Sequence, residues 1–447
     1  MSASQRHSRV LAGVLAVAVS ACAGGGSLQL ADVTPASLPA LQAERAQKPQ
    51  DNTVGTRLGV AYFRANQLSE ARATLDTVAL QNPQNGIAAI YRGMTAESQG
   101  DFPAARESYT QFIAVAKSRD LKNTANQRLA LVGKRELEYS ARQALANEAQ
   151  LSTQPPEPNT IAVMPFAYAG SNPDIQPLSR GFAQLIVTDL AKSRQIRVLE
   201  RERMQAMVDE MKLGESTRAD AATAARSGRM LRAERVVEGS LTDQGNVLRA
   251  DGAVVDVSTA GIQAAPEAAA QMNQIFDMEK AFVLDLFNRI GIQLTDAERS
   301  AIDQRPTQSL AAFLAWSRGL NAEDHGDFAA AQGFYDQAAR IDPSFSAASQ
   351  SSQQAATLQA ASTQSVAQVE VAVAAGSTQE TGPGAPPTSD AINNGKDGVN
   401  PNNTPTSGQG SSTGGSTGQP KTDAPPGAVI PQTTAPTATI RIIIPRP

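Results

Sequence analysis

Few side chains in this chain of 447 residues have the types and spacing that bond-making chemistry requires. The chain contains two histidines, His7 and His325, and one cysteine, Cys22. Gly239-Ser240 would offer a hydroxyl nucleophile, but neither histidine is near enough in sequence to suggest a general base. No glycine-rich phosphate loop followed by Lys-Ser or Lys-Thr occurs. The sequence therefore predicts a non-enzymatic protein without catalytic residues, metal ligands or cofactors.

Two further groups of residues have both a chemical and a structural interpretation. The charged run Glu200-Arg201-Glu202-Arg203 could line an active site, but such runs at the start of a helix more often form solvated local ion pairs. Met204, Met207 and Met211 follow at helical spacing, with no other soft ligand near them. We therefore predict a solvated helix start followed by a methionine stripe that faces the core.

The charge balance gives no reason to expect nucleic acid as a partner. The formal net charge is −4, and removal of a leader that carries Arg6 and Arg9 would make the chain more acidic. No basic cluster offsets this balance, whereas nucleic-acid binding needs one. With a single cysteine, no disulfide and no cysteine-based metal site can form within one chain.

The first segment has the organisation of a secretory signal. Arg6, His7 and Arg9 precede the apolar run from Val10 to Val19, and small residues follow before Cys22. The run is too short to cross a bilayer as a helix, which takes about 20 apolar residues. We therefore predict a cleaved leader over residues 1–21.

The residues Val19-Ser20-Ala21-Cys22 resemble a bacterial lipoprotein box. The resemblance implies cleavage before Cys22 and lipidation of that cysteine, which would anchor the protein in a membrane. Ala23 in place of aspartate implies sorting to the outer membrane, and residues 22–50 would act as a flexible tether. The alternative is an ordinary signal followed by an unrelated cysteine.

Residues 51–150 show the pattern of tetratricopeptide repeats, in which small and large residues recur at fixed offsets. The first copy contains Leu58, Gly59, Tyr62, Ala71, Leu75 and Pro83, and the second, shifted by 34 residues, contains Gly93, Ala105 and Tyr109. The helical stretch Thr124–Gln150 would cap the pair. Such arrays bind peptides or partner domains on a concave face, or they serve as a packing scaffold. The sequence favours neither.

The same offsets recur once more near the carboxyl end, over residues 309–345. Gly319, Ala331, Tyr335, Ala338 and Pro343 occupy the repeat positions, and Trp316 lies near the usual aromatic position. A lone helical hairpin cannot bury its own apolar face. We predict that it docks onto Glu267–Ile302 or onto the amino-terminal repeats.

Strands and helices alternate between these helical regions, in residues 159–305. The pattern predicts an α/β domain in which helices cover a mixed sheet with an antiparallel hairpin. The predicted strands are Thr160–Phe166 and Gln195–Leu199, followed by the hairpin Glu234–Val257. The predicted helices are Leu178–Lys192, Arg201–Met211, Ala221–Leu231 with Asp220 as its cap, Glu267–Ile290, and one that starts at Thr295.

Several stretches of this domain resemble the curli production assembly/transport (CsgG/HfaB) family. The strand Ile161–Phe166 is similar to the opening strand of that family, and further segments follow in the same order. They are Gly181–Leu190, Val198–Arg201, Val236–Ser240 and Val254–Val257. The resemblance implies an outer-membrane-associated lipoprotein of the periplasm. It also implies oligomerisation, since the best-known members form a secretion channel.

The last hundred residues are poor in large apolar side chains. Residues 346–437 are rich first in Gln, Ala and Ser and then in Gly, Pro, Thr, Ser and Asn, which predicts disorder. The end, Thr439–Ile444 within residues 438–447, has two interpretations. It is a strand that adds to an exposed sheet edge, or a frayed terminus.

Together these features predict a non-enzymatic outer-membrane lipoprotein that faces the periplasm. Its role would be the assembly or transport of an envelope or surface structure, through contacts of the tetratricopeptide surfaces with other envelope proteins. One alternative is an oligomeric secretion channel, and a second is a periplasmic sensor that binds a small ligand.

Overall fold

The computed structural model describes residues 30–214 and 220–381 of the chain. The predicted leader, Cys22, residues 382–437 and the terminal segment 438–447 lie outside these ranges. Among the described helices, none combines the length and apolar character needed to cross a membrane.

The amino-terminal part is an array of helices in which the two predicted tetratricopeptide repeats are confirmed. Asp51, Asn85, Asp101 and Ser118 cap helices through their side chains, as short polar residues do at the start of a helix. The helices are α1 (Leu38–Gln47), α2 (Asn52–Arg64), α3 (Leu68–Gln81), α4 (Gly86–Ser98), α5 (Phe102–Val115), α6 (Arg119–Ala146) and α7 (Glu148–Leu151).

Glycine allows the two helices of each repeat to cross closely. A Cβ added at Gly59 would lie 2.5 Å from the side chain of Leu75, and one at Gly93 would lie 2.7 Å from the ring of Tyr109. These distances are too short for a carbon contact, so the side chain on the second helix requires glycine on the first. The fixed offsets in the sequence therefore reflect direct packing.

The segment before the repeats differs from the predicted tether. In residues 30–50, α1 packs against α2, and Leu30, Val33 and Leu41 are buried in the core of the repeats. The prediction was wrong for this part, because three well-spaced apolar side chains suffice to attach a polar segment to an exposed helical edge. Residues 22–29 lie outside the described ranges.

The central domain contains a seven-stranded mixed sheet in the order β3-β1-β4-β5-β6. β1 is parallel to β3 and β4, whereas β5 is antiparallel to β4, as the predicted hairpin requires. β2 is parallel to β4 and pairs with it beyond the end of β1, and β7 is antiparallel to β5. The strands are β1 (Thr160–Val163), β2 (Ala167–Tyr168), β3 (Arg197–Val198), β4 (Arg235–Gln244), β5 (Val247–Asp256), β6 (Ile262–Ala264) and β7 (Glu267–Gln271).

Helices cover both faces of the sheet, which confirms the predicted α/β class. On one face, Phe166, Phe182 and Phe282 meet edge to face, with ring centroids 5.5–5.8 Å apart. On the other, Met204 and Met207 are buried, so the methionine stripe belongs to the core. The helices are α8 (Leu178–Leu190), α9 (Arg201–Glu210), α10 (Ala221–Leu231), α11 (Ile275–Arg289) and α12 (Asp296–Ile302).

The predicted helix Glu267–Ile290 is wrong in its first part. Residues Glu267–Gln271 form β7, which pairs antiparallel with Val247–Asp251, and the α-helix starts only at Ile275. Pairing with β5 satisfies the backbone of this alanine-rich stretch and turns Ala268 and Ala270 toward the core. The tertiary partner thus overrides the helical preference of alanine.

The carboxyl-terminal helical hairpin docks on the central domain, where it contacts α11 within the predicted segment Glu267–Ile302. It consists of α13 (Leu310–Asp324) and α14 (Phe328–Ile341). α13 packs against α8, and its Phe313 meets Phe276 of α11 with ring centroids 5.2 Å apart. The next helix, α15 (Ser346–Ser362), packs against α14 and α6 and so joins the hairpin to the amino-terminal array.

Two helices occupy a region in which the sequence predicts disorder. α15 is followed by α16 (Val366–Thr381), so the prediction for residues 346–437 was wrong over its first 36 residues. α15 buries mostly small side chains, among them Ala348, Ala355 and Ala361. Alanine lets helices approach closely without large apolar groups, and a composition argument based on large residues misses such packing.

Candidate functional site: a helix-binding groove

The amino-terminal repeats hold a helix of the same chain. α16 packs against α4 and α6, and near its start it reaches the end of α2. Val369 and Val373 lie one turn apart on α16, and both are buried in the core of the repeats. α2 and α4 are the first helices of their repeats, which line the concave face of such arrays. We call this surface, from α2 across α4 to α6, the groove.

A carboxylate pocket lies beside the two valines. Glu370 accepts hydrogen bonds from Arg64 Nε at 2.9 Å, from Arg64 Nη2 at 2.7 Å and from the Tyr91 hydroxyl at 2.6 Å. Tyr91 is fully buried, and burial followed by the charge of Glu370 raises the pKa of its hydroxyl. The phenol therefore remains a donor, and the pocket supplies three donors to one carboxylate.

The segment before α1 fixes the arginine of this pocket. Arg64 is the last residue of α2, and its Nη1 donates to the carbonyl oxygens of Leu30, at 2.7 Å, and Val33. Leu30 and Val33 are themselves buried. The guanidinium is thus oriented by backbone acceptors on one side while its other side faces Glu370.

Beneath the junction of α15 and α16 lies a buried ion pair. Arg128 of α6 and Glu97 of α4 form a salt bridge in which both side chains are 1% exposed. Glu97 also accepts from the Tyr109 hydroxyl at 2.8 Å and from Arg135 at 2.9 Å. Arg128 Nη1 donates to the carbonyl oxygens of Ala361 and Gln364, at 3.2 and 2.9 Å. The pair therefore links the repeats to the turn from which α16 starts.

The carboxyl-terminal hairpin repeats this arrangement with an arginine of the central domain. Tyr335 donates to Glu323 at 2.6 Å, with the same twelve-residue separation as Tyr109 and Glu97. Arg201 lies 3.4 Å from Glu323 and donates to Asp324. The predicted solvated start of α9 is therefore wrong for Arg201, which is buried and joins two parts of the chain, whereas Glu202 is half exposed.

A third buried cluster of charges lies between α8 and α11. Lys280 pairs with Asp189 and, at 2.9 Å, with Glu279, whose side chain is fully buried. Burial and the neighbouring Asp189 raise the pKa of Glu279 to about 8. This cluster was not predicted from the sequence, although Glu279-Lys280 inside an apolar helical stripe was a visible signal.

The raised pKa of Glu279 makes the stability of the fold depend on pH. In the folded state Glu279 keeps its proton up to a pKa of about 8, whereas in the unfolded chain it loses the proton above about 4.5. The free energy of unfolding therefore falls as the pH rises from about 4.5 to about 8. We expect Glu279→Gln to remove this loss and to gain about 1 to 3 kcal/mol over wild type between these limits. Urea unfolding at several pH values measures the difference.

Asp285→Asn on the same helix is the matched control, because that carboxylate forms a surface pair with Arg289 at 2.6 Å. We expect it to change stability by less than about 0.5 kcal/mol at every pH. If Glu279→Gln were as unstable as wild type at the upper end of this range, Glu279 would not carry the proton.

The other residues considered from the sequence do not come together. Gly239 and Ser240 lie within β4, and His325 is exposed at the end of α13, where its Nδ1 lies 2.6 Å from the carbonyl oxygen of Asn321. Over residues 30–214 and 220–381, no group of three or more potential metal ligands is assembled. A cleft of about 500 Å³ is lined by the connections on either side of the carboxyl-terminal hairpin, from Arg305 to Ser309 and from Ile341 to Ser344.

The fold and the groove thus define a protein that joins a repeat module for protein contacts to a mixed α/β domain. Residues 142–275 match the family described as "curli production assembly/transport component CsgG", and residues 56–119 match a tetratricopeptide repeat family. The chain therefore contains a CsgG-like domain together with tetratricopeptide repeats, as the resemblance predicts.

The chain was also compared with curated protein sequences and with solved structures. A search of curated protein sequences found no match. Among solved structures, the chain is similar to the LpoB C-terminal domain from Salmonella enterica, at 13% identity and a TM-score of 0.21. That similarity covers 30% of this chain and 98% of the other.

Proposed function

We propose that this protein is a non-enzymatic lipoprotein of the outer membrane that faces the periplasm and acts through protein contacts in the assembly or transport of an envelope or surface structure. One observation carries the proposal: a CsgG-like domain is packed together with a repeat groove that already holds a helix. The match to a family of curli assembly and transport components supports the envelope role. The match to tetratricopeptide repeats supports a role in protein binding.

Attachment to the membrane would come from Cys22. Its acylation contributes roughly 0.8 kcal/mol per methylene buried in the bilayer, so several acyl chains hold a protein stably. The described fold begins at residue 30, which leaves a short segment between the anchor and the first buried side chain, Leu30. The repeat array would then lie close to the membrane surface.

Fractionation of cells that express variants of the full chain tests the anchor. We expect Cys22→Ser to move the protein from the membrane fraction to the soluble fraction, because no acyl chain can be attached. Ala23→Asp is the matched control: it keeps the cysteine, so the protein should stay membrane-bound while its sorting to the outer membrane is lost. Unchanged membrane association of Cys22→Ser would contradict the proposal.

The partner role is tested by crosslinking in intact cells. A photoreactive amino acid that replaces Val371, on the exposed side of α16, should capture other envelope proteins. The same group at Leu80, which is exposed on α3, controls for non-specific capture. Equal capture at both positions would show no specific protein contact around the exposed side of α16 and would contradict the proposed role through protein contacts there.

A further inference from the structure

We propose that the groove is a receptor for a partner helix with the pattern Val-Glu-x-x-Val-x-x-Gly, and that α16 is an internal ligand which such a helix displaces. This inference rests on the proposed function, because it names the partner chemistry of the same surface. The partner is an amphipathic helix with one carboxylate between two β-branched apolar residues.

The pattern follows from what the groove contacts on α16. Val369 and Val373 fill its apolar part, with exposures of 1% and 0%, and Glu370 fills the carboxylate pocket. A Cβ added at Gly376 would lie 3.1 Å from the side chain of Leu121, so a large residue at this position requires Leu121 to move. Each feature disfavours a class of helix: basic helices, helices without an apolar stripe, and helices with a large residue at the last position.

α16 has the features of a ligand rather than of a permanent part of the core. Between residues 366 and 376 it buries only Val369 and Val373, whereas α15 buries five residues from Ala348 to Ala361. Thr363, Gln364 and Ser365, which join the two helices, are exposed. The apolar Val371 is 66% exposed on the outer side. Helices with few buried contacts open at low free-energy cost, so α16 can leave while α15 stays.

The charge of the pocket also favours a carboxylate ligand. If α16 leaves, Arg64 remains held by the carbonyl oxygens of Leu30 and Val33, and the buried Tyr91 keeps its hydroxyl at the same place. The donors are therefore arranged before a ligand arrives, which lowers the ordering cost of binding. A neutral side chain at the central position would leave the guanidinium without its counter-charge.

The internal position of α16 determines how a partner must compete. A tethered ligand acts at an effective concentration of about 1 mM, so a free helix at about 10 µM is at roughly a hundredfold disadvantage. The wild-type groove therefore stays closed to weak ligands. A partner needs either higher affinity for the groove or a second contact that raises its local concentration.

The experiment measures binding of a fluorescent peptide of residues 363–377 to purified full-length protein by anisotropy. Val373→Asp in the full chain places a charge in the groove and expels α16, so we expect this variant to bind the peptide at least tenfold more tightly than wild type. Val371→Asp is the matched control, because it changes an exposed valine on the same helix, and it should bind like wild type. Circular dichroism verifies that each variant is folded.

Peptide variants test the chemistry of recognition. Peptides with Glu370→Gln or Gly376→Leu should bind the Val373→Asp chain at least tenfold more weakly than the parent peptide. If Val373→Asp does not fold, the full-length Glu370→Gln chain serves as the opened receptor in its place. Equal binding of the parent peptide to wild-type and opened chains, or equal binding of the parent and Glu370→Gln peptides, would overturn the inference.

Sedimentation distinguishes an external partner from a second copy of the chain. We expect wild type to keep one mass across a hundredfold range of concentration. A dimer that forms with concentration and is lost in Val373→Asp would assign the groove to exchange of α16 between copies and would overturn the proposal of an external partner. Failure of peptide binding leaves the Cys22→Ser and crosslinking results unaffected, so the two proposals can fail separately.

Discussion

Replacing Arg128 by methionine should lower the free energy of unfolding by about 3 to 5 kcal/mol, because it leaves a buried carboxylate without its main counter-charge. Glu97 is 1% exposed and would keep only Tyr109 and the partly exposed Arg135 as donors. The same substitution removes the hydrogen bonds to the carbonyl oxygens of Ala361 and Gln364. Urea denaturation followed by circular dichroism measures the loss.

Arg135→Met provides the matched control, since it removes another arginine from the same carboxylate. Its side chain is 43% exposed, so solvent screens the pair and we expect a cost of at most about 1 kcal/mol. The double variant Arg128→Met with Glu97→Leu should recover much of the loss, because no buried charge is then left unpaired. Equal effects of Arg128→Met and Arg135→Met would show that burial does not set the strength of this pair.

The second large effect is expected at Arg201, where methionine should cost about 3 kcal/mol. Its loss leaves Glu323 and Asp324 buried at the end of α13. Arg180, whose Nε lies 3.5 Å from Asp324, compensates in part, so the cost falls at the lower end of the range for a broken buried pair. Because Arg201 joins α9 to α13, the hairpin should also separate from the central domain more readily.

Limited proteolysis between α12 and α13, near Pro306, reports this separation, and urea denaturation reports the stability. Arg197→Met is the control, because Arg197 pairs with Glu157 at 2.7 Å but is 49% exposed. We expect that substitution to cost less than about 1 kcal/mol and to leave proteolysis unchanged. If Arg201→Met were cleaved no faster than Arg197→Met, the ion pair would not hold the hairpin in place.

The repeats and the central sheet were predictable because their signals are local. Gly59 and Leu75, or Gly93 and Tyr109, are separated by a single helix and turn, so the packing that requires them leaves a fixed offset in the sequence. The hairpin of β4 and β5 likewise pairs residues that are neighbours across one turn. The capping box at the start of α12 is local as well, because Thr295 and Glu298, whose side chains accept hydrogen bonds from each other's backbone N–H, are three residues apart.

The charged residues of the sites were not predictable in the same way. Arg201 was interpreted as solvated because its neighbours in sequence are charged, but its partners are 122 and 123 residues away. Arg128 lies in the helical stretch that was predicted to cap the repeats, and only the fold places it beside Glu97 under the start of α16. Nothing near either arginine in sequence indicates that the side chain is buried.

The sequence by itself determined the helical repeats, the order of the helices and of the strands β1, β3, β4 and β5 in the central domain, and its likeness to the CsgG family, because each depends on contacts between near neighbours along the chain. Only the tertiary structure decided that residues 30–47 and 346–381 are ordered and that α16 lies in the groove. Glu370 and Arg64 are 306 residues apart, and a contact over that distance leaves no periodicity or fixed offset in the sequence. It exists because distant helices bring a carboxylate and its donors to one place, and that depends on the packing of the whole chain.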